Sequence, residues 1–281
     1  SILVKGREVG RDITNANGEV VVRAPVDSGA SSYQARATID GCMVVGKGRI
    51  FHWDPNRTVV AVDIDDTISR TDYSDLFISR FDTTSPPFKG SPHALQSMAR
   101  NYQILYVSAR PRWLREKTKT WLGRNGFPPG PVLHAPGFDG CFYQGYYKEK
   151  MLAEFQQVFP STMVGVGDKL DDDKAYGNRH MLSVILGQSD KNYRNHCVVV
   201  PDWHAVGEFF DKYQEPLADA DKLSKLIQAN NMNLRPLFAG TDTTALASAK
   251  PGRPSSPRTA PSRASVNPHP QVTMVRDTRL D

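Results

Sequence analysis

Cysteine is scarce in this chain. Cys42, Cys141 and Cys197 stand far apart, odd in number and without metal-ligand spacing. That argues against a disulfide-stapled scaffold or a cysteine-built zinc site, and favours reduced thiols in a cytoplasmic setting. Long apolar runs are also missing: none approaches the ~20 residues that a membrane helix needs, so no transmembrane segment is expected and any membrane contact would be peripheral. Internal repeats are absent, which sets aside solenoids and propellers. The last fifty residues are poor in aromatics and read "SAKPGRPSSPRTAPSRASVNPHP" in their middle, rich in Pro, Ser and Arg. Such a stretch cannot bury enough apolar surface to offset ordering, so residues 233–281 are expected to form a disordered tail. From Thr241 to Asp281 one Lys and five Arg face three Asp, so +3 of the formal +5 lies in that tail. A tail of this kind can touch anionic lipid or RNA, although a plain solvated tail is the commoner case.

What is present divides in two. Residues 1–56 show short alternating runs broken by turn signals, with an Asn17-Gly18 turn before Glu19–Arg23, then "SYQARATIDG" and "MVVGKGRIFHW". This reads as a small β-rich accessory domain, sandwich-like though short for seven strands. From Arg57 to Met232 the rhythm changes to strand–helix alternation. Strands are expected at Thr58–Ile64, Gln103–Val107, Pro131–His134, Thr162–Gly167, Leu182–Leu186 and Cys197–Val200. Helices are expected at Pro92–Arg100, Pro111–Asn125, Tyr147–Val158, Asp172–Arg179, Trp203–Tyr213 and Ala218–Ala229. Val-, Ile- and Leu-rich strands between helices imply an α/β fold, a Rossmann-like, doubly wound parallel sheet covered on both faces. Ligands of such sheets bind at the carboxyl ends of the strands.

The chemistry-bearing residues fall at those ends. "VVAVDIDDTIS" runs an apolar strand into Asp63, Asp65 and Asp66, which is tolerable if a hard cation such as Mg²⁺ neutralises the crowded carboxylates. "MVGVGDKLDDDKAY" repeats the pattern with Asp168, Asp171, Asp172 and Asp173, while "YQILYVSARP" ends in Ser108, and Lys148 heads a helix. Carboxylates from two strand ends, a hydroxyl from a third and one lysine make a phosphoryl-transfer constellation. Ser108 alone would equally suit a helix cap, and Lys148 alone a solvated helix face. Arg110 and Arg112 suit either a phosphate grip or the surface. His134, His180 and His204 lack ligand spacing. Trp113 and Trp121 lie eight apart, which reads as a core stripe.

Together these motifs resemble the haloacid dehalogenase (HAD) superfamily of phosphatases. The first motif is Asp63-Ile64-Asp65-Asp66-Thr67, the second Ser108, the third Lys148 in preference to Lys150, and the fourth Gly167-Asp168-Lys169-Leu170-Asp171-Asp172. His180 stands where the superfamily usually has Gly. "DIDDTI", "LYVSARP…LREKTKTWLGRNGFPPGPVL" and "FPSTMVGVGDKLDD" resemble more narrowly the lipin-type and actin-patch-type phosphatidate phosphatases, over about Arg57 to Gln188. Asp66 matches the actin-patch form, whereas lipins carry Gly.

The resemblance implies an Mg²⁺-dependent phosphatase with an aspartyl-phosphate intermediate. Asp63 would be the nucleophile and Asp65 the acid/base. Mg²⁺ would be held by Asp63, the carbonyl of Asp65 and Asp168. Asp172 would steady the metal's water or Lys148, with Asp171 as its rival. Ser108, Lys148, Thr67 and Arg110 would serve the substrate phosphate. Only about forty residues separate Asp65 from Ser108, and about forty more separate Ser108 from Lys148, leaving no room for a large cap. A capless crevice favours a bulky or surface-borne ester, phosphatidate or a related lipid phosphate. The rivals are a phosphatase of nucleic-acid ends or phosphoproteins, and a non-catalytic phosphatidate-sensing module.

Overall fold

The computed structural model describes residues 1–14, 19–26, 30–78, 85–187, 192–238 and 271–272. They divide into two compact units, one containing Ser1–His52 and the other beginning at Trp53.

The first unit contains β1 (Ile2–Val4), β2 (Arg7–Gly10), β3 (Glu19–Val20), β4 (Ser32–Ile39) and β5 (Cys42–Arg49). Four of them form an antiparallel sheet in the order β2-β1-β4-β5. Both hairpin turns use two residues with positive φ, Lys5-Gly6 (48° and 78°) and Asp40-Gly41 (51° and 78°). That pairing matches the right-handed twist of the flanking strands. Ile2, Val22, Ala24 and Ala35 make one small apolar cluster on this unit. The β-rich unit expected from the sequence is, among the described residues, this four-stranded antiparallel sheet together with a two-residue pairing of β3. The Asn17-Gly18 turn lies outside them.

The second unit contains β6 (Val59–Asp63), α1 (Tyr73–Ile78), α2 (Ser91–Met98), β7 (Gln103–Pro111), α3 (Arg115–Arg124), β8 (Val132–Ala135), α4 (Gln144–Gln156), β9 (Thr162–Gly167), α5 (Leu170–Asn178), β10 (Leu182–Leu186), β11 (Cys197–Val200), α6 (Trp203–Lys212), α7 (Gln214–Ala218) and α8 (Ala220–Ala229). The six strands form a parallel sheet in the order β11-β10-β9-β6-β7-β8. Every residue of β6 and β7 is buried. Because successive side chains face opposite ways, both faces of the sheet are therefore covered. Val60, Val62, Leu95, Tyr106, Val164, Trp203 and Phe209 belong to one continuous core. Truncating a fully buried member such as Leu95 to Ala is expected to cost about 2–5 kcal/mol. From β6 the chain winds outward through β7 and β8, then crosses back to β9 on the other side of β6. The β6–β9 junction is thus the switch point, where a crevice opens beyond the strand ends. A short β12 (Gln271–Val272) pairs in parallel with β3 in the first unit. The rest of the expected tail beyond Phe238 lies outside the described residues.

Several boundaries moved for identifiable reasons. Strand β7 runs on to Pro111, four residues further than expected, with a bulge between Ser108 and Pro111. Ser108 therefore sits inside the strand, and the expected helix from Pro111 begins as a 3₁₀ turn at Arg112–Leu114. Helix α4 starts at Gln144 without a side-chain cap, so Lys148 lies in its second turn instead of at its head. The single helix expected over Ala218–Ala229 is broken at Asp219, whose extended backbone ends α7 while its carboxylate accepts the N–H groups of Asp221 and Lys222 to cap α8. Helix α1 carries no strong period; Asp72 caps it by accepting the Ser74 N–H at 2.9 Å.

Candidate active site

Asp63 is the last residue of β6, and Asp168 follows directly on β9. The two acids therefore stand on either side of the switch point. Thr67 Oγ1 bridges them, donating to Asp63 Oδ2 at 2.9 Å with Asp168 Oδ1 at 3.2 Å. The loop between Asp63 and Thr67 is held from below: the Trp203 indole N–H donates to the Thr67 carbonyl at 2.9 Å. Its tight return passes through Asp66 at φ 61°, the left-handed region that favours Gly and that Asp tolerates. His180, at φ 55°, stands in the same region, which explains Gly as its usual counterpart.

Lys148 is buried between two carboxylates, 2.7 Å from Asp63 Oδ1 and in contact with Asp172 Oδ1. Lys150, the alternative, is exposed. Asp172 is fully buried and its second oxygen accepts the Asp168 backbone N–H at 3.1 Å, whereas Asp171 is exposed. Asp172 is thus the inward member of that pair. The closeness requires glycine: a Cβ on Gly167 would lie 2.5 Å from the Asp172 Cβ. Asp173 is buried as well and accepts the Arg194 N–H at 2.9 Å.

Asp65 faces the other way. Arg110 Nε and Nη2 donate to its carboxylate at 3.0 and 2.9 Å, Thr71 Oγ1 at 2.7 Å, and Ser108 Oγ at 3.1 Å. Arg110 is buried, with only 2% of its side chain exposed, so it is neither a surface residue nor a free phosphate grip in this state. Thr71 and Arg110 as partners of Asp65 were not legible, because the bonds form across a loop and a neighbouring strand. Lys169 is a further cation of the site, its Nζ held by Gln144 Oε1 at 2.6 Å.

The electrostatics follow from burial and pairing. Burial pushes the Asp63 carboxyl up to about 7, outweighing the attraction of Lys148. Burial, reinforced by Asp172, pushes Asp168 up to about 6. Burial would raise Asp65 too, but the Arg110 charge and the hydrogen bonds to Arg110, Thr71 and Ser108 hold it below the usual carboxylate range. Lys148 goes well up because Asp172 and Asp63 overcome its desolvation. His134, buried under Arg110 and Arg115, is pushed down to about 3, so it is a neutral core residue.

The residues present fit a divalent cation. Oxygens of Asp63, Asp168 and Asp172 lie within 4.8 Å of one another, an all-oxygen set in which buried Asp63 Oδ1 has the Lys148 ion pair but no hydrogen bond. Asp172 has both oxygens committed to Lys148 and the Asp168 N–H. Asp63 is engaged at both oxygens as well, by Lys148 and Thr67, whereas Asp168 meets Thr67 through Oδ1, which makes Asp168 the freest ligand of the three; a site of one or two carboxylates suits Mg²⁺, which keeps several waters. The Asp65 side chain is outside this cluster. A separate hollow of about 790 Å³, lined by Asp54, Arg57, Asn101 and Asp219, lies at the amino ends of the strands, away from these groups.

The model of the LNS2 (Lipin/Ned1/Smp2) family matches residues 27–184, which include Asp63, Asp65, Asp168 and Asp172. The chain belongs to the LNS2 family. A phosphatase with an acidic metal-binding site is what LNS2 membership and the crevice together support. No curated protein sequence matches the chain. Among solved structures, a chain of the Pnkp1/Rnl/Hen1 RNA repair complex gives a TM-score of 0.42 at 15% identity, covering 50% of this chain and 45% of that one. The chain thus spans less than half of that relative. The cobalt-bound deoxy-D-mannose-octulosonate 8-phosphate phosphatase of Haemophilus influenzae gives 0.40 at 11% identity, covering 58% and 92%. The 3-deoxy-D-manno-octulosonate 8-phosphate phosphatase of Moraxella catarrhalis, solved with magnesium, phosphate and KDO, gives 0.38 at 14%, covering 57% and 89%.

Proposed function

We propose that this LNS2 chain is an Mg²⁺-dependent phosphatase that hydrolyses a phosphate monoester, with phosphatidate or a related lipid phosphate as its substrate. The observation that carries the reading is the placement of Asp63 at the β6–β9 switch point, flanked by Lys148 at 2.7 Å and by the metal-capable Asp168. Asp63 attacks phosphorus, the bond to the leaving oxygen breaks, and Asp65 delivers the proton that oxygen needs. Asp65 then takes a proton from water, which attacks the aspartyl-phosphate, and phosphate leaves with Asp63 restored. The metal, when bound, neutralises the carboxylate and the phosphate that would otherwise repel each other.

The chain's own groups divide this work. Thr67 orients Asp63 and Asp168 together. Lys148, fixed by Asp172, faces Asp63 and offers positive charge to the transferred group. Arg110 and Ser108 keep Asp65 ionised, the state that accepts a proton from water. Substrate entry has to loosen that grip before Asp65 can serve as an acid, which makes Arg110 a positioning residue for Asp65.

Support for a large or surface-borne ester is the shape of the crevice. Between β6 and β7 the described residues hold only α1 and α2, and between β7 and β8 only a 3₁₀ turn and α3. Among the described residues no helix is long and apolar enough to cross a membrane. Phosphate release from phosphatidate micelles, a 3′-phosphorylated oligonucleotide and a phosphopeptide, each with and without Mg²⁺, tests the reading. Release from phosphatidate well above the other two is expected; preference for either of the others would refute the lipid assignment.

A further inference from the structure

The loops that leave the carboxyl ends of β6, β7 and β8 carry an unusual set of exposed rings. Trp113 is 50% exposed, Phe142 71%, Tyr143 66% and Tyr146 64%, with Phe77 and Phe138 partly exposed beside them. Trp113 had the spacing of a core residue; instead only Trp121 is buried, its N–H satisfied by the Ser85 carbonyl. The rings gather on one another. Phe138 stacks on Trp113 at 6.3 Å and meets Phe77 and Phe142 edge-on at 5.6 and 5.5 Å. Side chains from three separate loops thus build one patch. Soluble surfaces seldom leave such a patch without a use.

The patch borders the crevice. Phe138 and Phe142 flank Cys141, whose thiol is close enough to Asp65 and Arg110 for their charges to act on it. Gly140 lies against Ala109, one residue before Arg110; a Cβ there would sit 2.6 Å from the Ala109 carbonyl oxygen. Tyr143 directly precedes the helix that carries Lys148.

We propose that this aromatic rim is a docking surface for an anionic lipid bilayer, and that it sets the crevice mouth against the headgroup layer. Three observations select a bilayer as the occupant. The rings are of the type that sits at the boundary between headgroups and acyl chains, with Trp and Tyr offering an apolar body and a polar tip. They pack on one another, edge-on and stacked, into one continuous apolar face. Along the ring-bearing segments Arg112, Arg115, Lys117 and Lys119 outnumber the acids Asp75, Glu116 and Asp139, and Lys117 Nζ is held by the Leu76 carbonyl at 2.7 Å, next to Phe77. That charge complements an acidic membrane.

The orientation of the crevice rests on the phosphatase reading above, but binding by the rim does not. The test is therefore sedimentation with vesicles of phosphatidylcholine containing phosphatidylserine, a lipid without a phosphate monoester, using the full chain and the Trp113→Ala/Phe142→Ala variant. Turnover of p-nitrophenyl phosphate is followed in parallel. The variant is expected to bind at least about tenfold more weakly, from the apolar area it no longer buries, with soluble turnover unchanged. A single Phe142→Ser variant, at the most exposed ring of the cluster, should show a smaller loss in the same direction. Equal vesicle binding by parent and variants would overturn the proposal. So would a parent that ignores vesicles but self-associates through these rings. Absence of turnover in every protein would strike the phosphatase reading and leave the binding comparison intact.

Discussion

Replacing Asp63 by Asn separates the electrostatics of the crevice from its chemistry. In the metal-free protein the Asp63 carboxyl is raised from 3.8 to about 7 by burial. A group with a raised folded value binds its proton more tightly folded than unfolded. Ionising it therefore destabilises the fold progressively as pH rises from about 4 to about 7, and the penalty is constant above that window. A shift of roughly three units corresponds to about 4 kcal/mol if Asp63 bore it alone. Asp168, raised to about 6, and Lys148 share the same charge imbalance, so the smaller part, about 1–3 kcal/mol, is the expected gain for Asp63→Asn above neutral pH. The Asn carbonyl oxygen can keep the Lys148 ammonium as its partner while the Thr67 hydroxyl donates to Asp168 instead, so no buried donor is orphaned. Thermal unfolding in excess chelator, from about pH 4 to pH 8, reads the effect as a rise of roughly 2–4 °C per kcal/mol that disappears toward the acid end. Added Mg²⁺ should stabilise the parent at neutral pH and leave the Asn variant nearly unmoved. A variant less stable than its parent at pH 8, or a difference that does not change with pH, would refute the account of the charge balance.

Other perturbations address the remaining parts of the site. Arg110→Lys keeps the charge but loses the guanidinium fork that fixes Asp65, so kcat should fall at least about tenfold with KM little changed; parental kcat would leave Arg110 a purely structural role. Gly167→Ala puts a methyl 2.5 Å from the Asp172 Cβ and should cost about 1–3 kcal/mol of stability together with most turnover, read by unfolding and phosphate release. Chelation should abolish phosphate release, Mg²⁺ should restore it, and Ca²⁺ should compete yet inhibit, since its looser coordination can draw both Asp63 oxygens away from in-line attack. Full activity in excess chelator would contradict the metal's part.

The parts of this molecule legible in its sequence are those governed by local pattern. Val59–Asp63, Thr162–Gly167, Leu182–Leu186 and Cys197–Val200 read as buried parallel strands because both their faces are apolar. Asp63, Asp168 and Lys148 were legible as a constellation because strand ends of such a sheet converge on one crevice. What was not legible depends on pairing across the chain. Arg110 reaches Asp65 over 45 positions, and nothing in "SARP" distinguishes a buried guanidinium from a surface one. Asp171, Asp172 and Asp173 are alike in sequence; only the start of α5 at Leu170 decides which of them turn inward. Trp113 looked like core because eight residues make two helical turns. The chain around it begins as a 3₁₀ turn, which breaks that register and leaves the ring in solvent.

The most direct test of the central claim is chemical trapping of the nucleophile. The protein is mixed with Mg²⁺ and phosphatidate, quenched during turnover with borohydride, and digested for peptide mass spectrometry. Borohydride reduces an acyl phosphate to the alcohol, so an aspartyl-phosphate at position 63 becomes homoserine. The account predicts this conversion at Asp63, and its loss when Mg²⁺ or substrate is withheld. Sustained phosphate release with Asp63 unconverted, or conversion at another aspartate, would contradict it.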